Sequence, residues 1–230
     1  MKLRMNLEQS STEEFIDRVI SRYHFQEKDR QGLKLVRKEL LKSISPYAVY
    51  KIPQWITGVK KIDENQAALV AITLGEAPDS LQEHFTEEGE LQEAYMVECI
   101  SNEMLLDLYG EFNKNYADIH RRYVSGYYFI GDDVELDNMG QLLEKLKENQ
   151  SEEFDINVNE FGVLIPSKSV MFYVTLSDNP KHACEGICYN CKNSHCENRM
   201  SLNESEREVS YALNYGFQRI FSNEENIASP

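Results

Sequence analysis

The chain has little positive charge, no long apolar run and none of the common nucleotide-binding or hydrolase motifs. It carries 24 Lys and Arg against 39 Asp and Glu, a formal net charge of −15. Such a chain would repel phosphate backbones, so we expect no nucleic-acid partner. No apolar run approaches the roughly 18 residues of a membrane span, so we expect no membrane partner. Glycine patterns typical of serine hydrolases, P-loop proteins and dinucleotide-binding proteins are also absent.

An apolar secretory signal is lacking as well. The first residues, MKLRMNLEQSSTEEF, become acidic before any apolar core begins. We therefore expect a protein of the reducing cytoplasm, where disulfides are disfavoured. The 230 residues, 41% of them hydrophobic, are enough for one sizeable domain.

Four cysteines stand out against this background: Cys184, Cys188, Cys191 and Cys196, in the spacing C-x3-C-x2-C-x4-C. A short loop that folds back on itself can bring such thiolates to within about 2.3 Å of a common centre. The spacing predicts one metal site, and either an iron–sulfur cluster or a closed tetrahedral zinc site fits the ligands. We favour the cluster over zinc, and disulfides or free thiols are the third alternative.

Two further observations concern the class of protein that the cysteines indicate and the role of the fifth cysteine. The first three cysteines have the spacing used by radical S-adenosylmethionine enzymes, but that motif opens a long barrel domain and only 34 residues follow Cys196. We therefore set that class aside. Cys99 lies in an apolar helical stretch, where we expect a small buried thiol.

We expect three parts in the chain: an N-terminal helical segment at 1–45, an α+β domain at 46–200 that includes the cysteine-rich loop 184–196, and a C-terminal helix and tail at 201–230. Ser11 and Glu14 have the form of a capping box at the first helix, and the second helix should end before Pro46. Further elements are predicted as strands at 47–52, 67–74 and 123–130, helices at 78–116, 136–148 and 201–221, and a strand–turn–strand at 161–176.

Three charged side chains have two interpretations each. Glu103 and Asp107, one turn apart on the long helix, are either a carboxylate pair or a solvated helix face, and we favour the solvated face. Lys168 is either a cation for a substrate carboxylate or a solvated turn residue, and we favour the turn residue.

Several segments together resemble the activation-domain family of cobalamin-dependent methionine synthase, in particular its small stand-alone members from anaerobic bacteria. ALVAITLGEAPD resembles the family's strand that ends in a T-L-G turn, and FGVLIPSKSVMFYVTLS resembles the stretch in which a P-x-K-S-V turn enters the last strand. The cysteine run ends with Cys196 and Arg199, and this ending resembles the family's C-x2-C-x4-C-x2-R ending. The resemblance covers roughly residues 45 to 200. It implies an α+β fold with helices packed on a mostly antiparallel twisted sheet, which the order of elements allows.

The resemblance also implies a ligand. The family's R-x-A-P-G-Y sequence, which presents S-adenosylmethionine, corresponds here to residues 122–127, so the implied binding residues are Arg122, Val124, Gly126 and Tyr127. The guanidinium would hold a carboxylate, the glycine would allow close approach of the backbone, and the ring would contact the ligand. Val124 and Ser125 stand where the family has alanine and proline. The alternative is that the tyrosines are ordinary sheet residues and Arg122 is a surface charge.

The function implied by the resemblance is an accessory role in methionine biosynthesis. An inactive cobalt(II) corrinoid on a methyltransferase partner is reduced by one electron, and a methyl group from S-adenosylmethionine traps the product. A cysteine-bound iron–sulfur cluster would relay the electron from a donor protein. The alternative is a non-catalytic module that binds a partner protein, with a structural zinc and a decayed ligand cleft.

Overall fold

The computed structural model describes residues 1–52, 67–130, 139–148, 154–184 and 186–187, and in them the predicted α+β class is confirmed. The strands are β1 Lys2–Arg4, β2 Tyr47–Lys51, β3 Ala67–Thr73, β4 Tyr123–Phe129, β5 Asn157–Val158, β6 Leu164–Ile165 and β7 Ser169–Ser177. The helices are α1 Glu13–Tyr23, α2 Arg30–Ser43, α3 Ala77–Glu87, α4 Leu91–His120 and α5 Met139–Lys147. Within these residues no helix is long and apolar enough to cross a membrane.

The main sheet has the order β1-β2-β3-β7-β4, and each neighbouring pair is antiparallel. All seven residues of β3 are buried, because the run AALVAIT is apolar on both faces of the sheet. Val70 and Ile72 face a core shared with α1, α2 and α4, whereas Leu69 and Ala71 face a second core shared with α5. The sheet is therefore covered on both sides, and β4 forms one of its edges.

The N-terminal residues belong to the larger of these cores. β1 pairs with β2, and the apolar faces of α1 and α2 pack with α4 and the sheet. Phe15, Ile16, Leu33 and Leu40 are fully buried there. The predicted boundary at residue 45 thus falls between an element of the core and an inner strand of the sheet.

The ends of the first two helices differ in how well the sequence predicted them. Thr12, one residue after the predicted cap, accepts a hydrogen bond from the Phe15 amide at 3.2 Å, so the proposed capping box of Ser11 and Glu14 is wrong. The second helix ends at Ser43, before Pro46, as predicted. Thr12 has the extended backbone that a cap needs, and a neighbouring Ser or Thr gives the same sequence signal.

The single helix predicted over 78–116 is two helices, α3 and α4. Gly89 adopts φ +78° after α3, its amide donates to the Thr86 carbonyl, and the Glu90 amide donates to the Phe85 carbonyl at 2.8 Å. These two bonds around a left-handed glycine form a Schellman motif, which ends a helix.

The strand–turn–strand predicted over 161–176 is also different in detail. β7 is the buried strand expected from VMFYVTL, but β6 pairs with β5 in a separate two-stranded sheet. A cis peptide bond joins Ile165, at the end of β6, to Pro166, in the segment that leads to β7. The predicted C-terminal helix at 201–221 lies outside the described residues.

Candidate functional site

The stretch 122–127, which resembles the family's S-adenosylmethionine-binding sequence, lies almost wholly in β4, and this confirms the strand predicted over 123–130. β4 pairs with β7 along its length, and the register shifts between Val124 and Gly126, so Ser125 forms a β-bulge. The Ser125 hydroxyl donates to Thr175 Oγ1 at 3.0 Å. Val124 and Ser125 are both buried. The bulge lies at the position of the family's alanine–proline turn.

The two side chains with the strongest implied roles are engaged within the protein. Arg122 Nε donates to Asp178 Oδ1 at 2.8 Å, and the arginine side chain is 18% exposed. Tyr127 is 2% exposed, and its hydroxyl donates to Asn113 Oδ1 at 2.6 Å. Burial raises the pKa of the Tyr127 phenol well above its usual value. The ring of Tyr127 is therefore part of the core, as the alternative interpretation expects.

The first cysteine of the predicted metal site is attached to this strand. The Cys184 amide donates to the Val124 carbonyl at 2.8 Å, and Asn113 Nδ2 donates to the Cys184 carbonyl at 3.3 Å. Asn113 on α4 thus bridges Cys184 and Tyr127. The fold therefore places residues from both predicted sites side by side, at the edge of the sheet.

Only the first of the four cysteines can be placed. Cys184 is 5% exposed, and burial raises the pKa of its thiol to about 12. Cys188, Cys191 and Cys196 lie outside the described residues, and the described part contains no group of three or more His, Cys, Asp or Glu arranged to hold a metal. The donors still fit a cluster or zinc chemically, since four thiolates are a complete ligand set for either. Cys99 is 1% exposed and free, which confirms the buried thiol expected there.

A buried charge cluster joins α1 to α4 nearby. Arg18 Nε lies 2.9 Å from Glu103 Oε1, and Arg18 Nη2 lies 2.6 Å from Asp107 Oδ1. Arg22 Nε lies 2.8 Å from Glu103 Oε2, and the Ser10 hydroxyl donates to Asp107 Oδ2 at 2.8 Å. Glu103 is 2% exposed, so the solvated helix face predicted for these carboxylates is wrong.

The physical cause is that the two helices present matching charges. Arg18 and Arg22 are four residues apart on α1, as Glu103 and Asp107 are on α4, so both pairs occupy one face of their helix. Burial raises the pKa of the Asp107 carboxyl, against the hydrogen bond of Ser10 and the charge of Arg18, which lower it. Matched spacing of opposite charges on two helices was the one sequence signal for this cluster.

The charge cluster forms a wall of two cavities. One has a volume of about 280 Å³ and is lined by the two arginines, the two carboxylates, and Gly186 and Ile187. The other, an open groove of about 700 Å³, is lined by Arg18 and Arg22 together with Tyr23, His24 and Tyr95. Because Gly186 and Ile187 follow Cys184 directly, the smaller cavity lies beside the start of the cysteine-rich loop.

Lys168 is buried and forms an ion pair with Glu98, whose side chain is 36% exposed. Lys168 itself is 7% exposed, and its Nζ donates to Glu98 Oε1 at 2.5 Å and to Asn102 Oδ1 at 3.0 Å. Burial raises the pKa of Glu98, but the hydrogen bond and charge of Lys168 outweigh it, and the pKa is lowered overall. The solvated turn residue that we favoured is therefore wrong, because α4 supplies a carboxylate that the local sequence does not show.

No protein-family model matches the chain, and no curated protein matches it.

Proposed function

We propose that the chain is an accessory protein that reductively activates a corrinoid-dependent methyltransferase, binding S-adenosylmethionine beside a cysteine-bound iron–sulfur cluster. The observation that carries this proposal is the hydrogen bond from the Cys184 amide to the Val124 carbonyl. It brings the cysteine segment against the strand that resembles the family's ligand-binding sequence. The corrinoid would arrive on the partner, and the reducing cytoplasm suits four free thiolates.

The cysteine residues that would hold the cluster are Cys184, Cys188, Cys191 and Cys196. When bound, an iron–sulfur cluster supplies single electrons at a potential that its surroundings tune. This chain fixes the loop by its first ligand, because both the amide and the carbonyl of Cys184 are hydrogen-bonded to β4 and α4. An electron-donor protein would supply the electron.

The smaller cavity beside this loop, and the larger groove that shares Arg18 and Arg22 with it, support a place for S-adenosylmethionine, which carries a carboxylate, an ammonium and a sulfonium. The Arg18 side chain is 37% exposed beside its ion pairs with Glu103 and Asp107, and its guanidinium would contact the ligand's carboxylate. Tyr23 and Tyr95 line the larger groove, whose volume lies in the usual range for ligand sites. Arg122 and Tyr127 would then hold the strand and loop in place.

The metal is tested by measuring iron, zinc and acid-labile sulfide in protein purified without oxygen, together with the visible spectrum. About four irons and four sulfides per chain, with a brown colour that bleaches on reduction, are expected. Replacing Cys191 with serine should then abolish activation in a chain that still folds. A colourless protein with one zinc and no sulfide would contradict the proposal.

Ligand binding is tested by calorimetry with S-adenosylmethionine. Arg18→Met should weaken binding by roughly tenfold or more, since a charged hydrogen bond is lost. Arg4→Met, at an exposed arginine on β1, is the matched control and should bind like the wild type. If Arg122→Met removes binding while Arg18→Met does not, the ligand site is at β4 and the cleft assignment is wrong.

A second candidate function is a partner-binding module with a structural zinc. One observation favours it: the polar groups of Arg122, Ser125 and Tyr127 all form hydrogen bonds within this chain. Loss of the fold on chelation, combined with no binding of S-adenosylmethionine, is its expected signature.

A further inference from the structure

An exposed apolar row lies on the hairpin formed by β5, β6 and the turn between them. Phe161 is 77% exposed, Val163 is 55% exposed and Ile165 is 47% exposed. Ile165 lies on β6, and Phe161 and Val163 lie in the turn that leads into it, so the three exposed side chains fall within five residues of one hairpin. A row of three exposed large apolar side chains is the composition of an interaction site.

The segment that carries this row is held rigidly. The Asn159 side-chain oxygen accepts hydrogen bonds from the Phe161 amide at 3.0 Å and the Val163 amide at 2.9 Å. The Asn159 amide donates to the Val163 carbonyl at 2.9 Å, and Gly162 adopts φ +77° to close the turn. A preorganised turn loses little conformational entropy when a partner binds it.

The opposite face of the same hairpin is anchored in the core. Leu164 and Ile156 are buried in the cluster formed with α5 and the outer face of β3. Ile165 follows Leu164 on β6 and therefore points to the opposite side of the strand, away from this cluster.

Charge selects the kind of partner. Asp155 and Glu160, on either side of the hairpin, are exposed, and Lys147, which contacts Asn157, is paired with Glu144. An acidic rim in a chain of net charge −15 opposes binding to anionic lipid headgroups. The same rim complements basic side chains around an apolar pocket on a protein.

We propose that Phe161, Val163 and Ile165 form the docking surface for the corrinoid-binding methyltransferase protein, whose contact region is an apolar pocket rimmed by Lys and Arg. This inference rests on the proposed function for the identity of the partner. Phe161 is the central contact, since a rigid exposed aromatic side chain is the usual anchor of such an interface. Glu160 orients the partner by pairing with its basic rim.

The test is calorimetry of the full chain with the corrinoid-binding methyltransferase protein of the same organism, at low and high salt. Phe161→Ala should raise Kd roughly tenfold to a hundredfold, and Glu160→Lys should raise it most at low salt. Leu91→Ala is the matched control, because Leu91 is 67% exposed on α4 and should not affect Kd. Thermal melting of each variant checks that the fold is kept.

Four other outcomes would overturn the inference. If wild type and Phe161→Ala bind the methyltransferase equally and activate it equally, the docking surface lies elsewhere while the proposed function stands. If the wild type neither binds nor activates it, the proposed function fails and the inference fails with it. Binding of the wild type, but not Phe161→Ala, to vesicles of mixed phosphatidylcholine and phosphatidylglycerol would assign the row to a membrane. A wild-type dimer that dissociates in Phe161→Ala would assign it to a second copy.

Discussion

Replacing Glu103 with glutamine should strongly destabilise the protein. Glu103 is 2% exposed and lies between two guanidinium groups, with Arg18 Nε at 2.9 Å and Arg22 Nε at 2.8 Å. The substitution keeps the shape of the side chain but removes a carboxylate charge from beside both arginines, while Arg18 keeps Asp107 Oδ1 at 2.6 Å. Buried cations without a counter-charge are costly, because protein solvates them less well than water does.

The size of the loss follows from the exposure of the partners. Breaking a buried ion pair by removing one partner costs about 3–5 kcal/mol. The Arg18 side chain is 37% exposed, so water can take up part of its charge, and we expect the lower end, about 3 kcal/mol. With a urea slope of roughly 3 kcal/mol per molar, the unfolding midpoint should fall by about 1 M.

The assay is urea unfolding at pH 7, followed by circular dichroism. Glu39→Gln is the matched control, since Glu39 is 53% exposed in an ion pair with Lys42, and its midpoint should stay unchanged. Adding Arg22→Met to Glu103→Gln should cost less than Arg22→Met alone, because the pair is already broken. A loss below about 1 kcal/mol for Glu103→Gln would refute the buried charge cluster.

Three further predictions concern other elements. Burial lowers the pKa of His120 below its usual 6.5, so the unfolded state binds more protons than the folded state between the two pKa values. The free energy of unfolding should therefore rise as the pH increases from the folded pKa to 6.5. Thermal melting should show this rise, and His120→Gln should remove it. Lys168→Met should lower the unfolding free energy by about 1–2 kcal/mol, because Glu98 loses its counter-charge. The loss stays this small because Glu98 is one-third exposed and water partly solvates it. In urea unfolding, a double variant with Glu98→Gln should recover part of the loss. Gly89→Ala should destabilise the fold by about 1 kcal/mol, since Gly89 has φ +78°. Gly110→Ala should stabilise it by about 0.5–1 kcal/mol, because alanine favours the interior of helix α4 and its methyl group meets no atom there. Equal effects of the two variants in urea unfolding would contradict the assigned backbone.

The chain's sequence determined those features that depend on near neighbours. The run 67–74 predicted a buried inner strand because every residue in it is apolar, and β3 is buried along its whole length. Pro46 predicted the end of the second helix, since proline restricts the residue before it. Cys99 was predicted as a buried thiol because its neighbours on the helix are apolar. Each of these signals lies within a few residues of the feature.

The part of the candidate site that the sequence indicated was the identity of its residues, not their surroundings. The four cysteines and the stretch 122–127 were visible as patterns, but nothing local showed that the Cys184 amide bonds to Val124. Asn113, which bridges the two, could not be predicted as a site residue, because a lone asparagine on a helix forms no recognisable sequence pattern. The bulge at Ser125 likewise follows from pairing with β7, which comes about fifty residues later.

Tertiary structure alone decided which charges are buried. Glu103 and Asp107 look like a solvated helix face in sequence, but Glu103 is buried and Asp107 is largely covered, because Arg18 pairs with both from a helix that lies 85 residues before Glu103. Lys168 looks like a turn residue, and it is buried because Glu98 lies opposite it, 70 residues away. A charged side chain leaves water only where a partner of opposite charge compensates it. Local sequence gives the periodicity of an element, whereas the folded chain brings that partner into place.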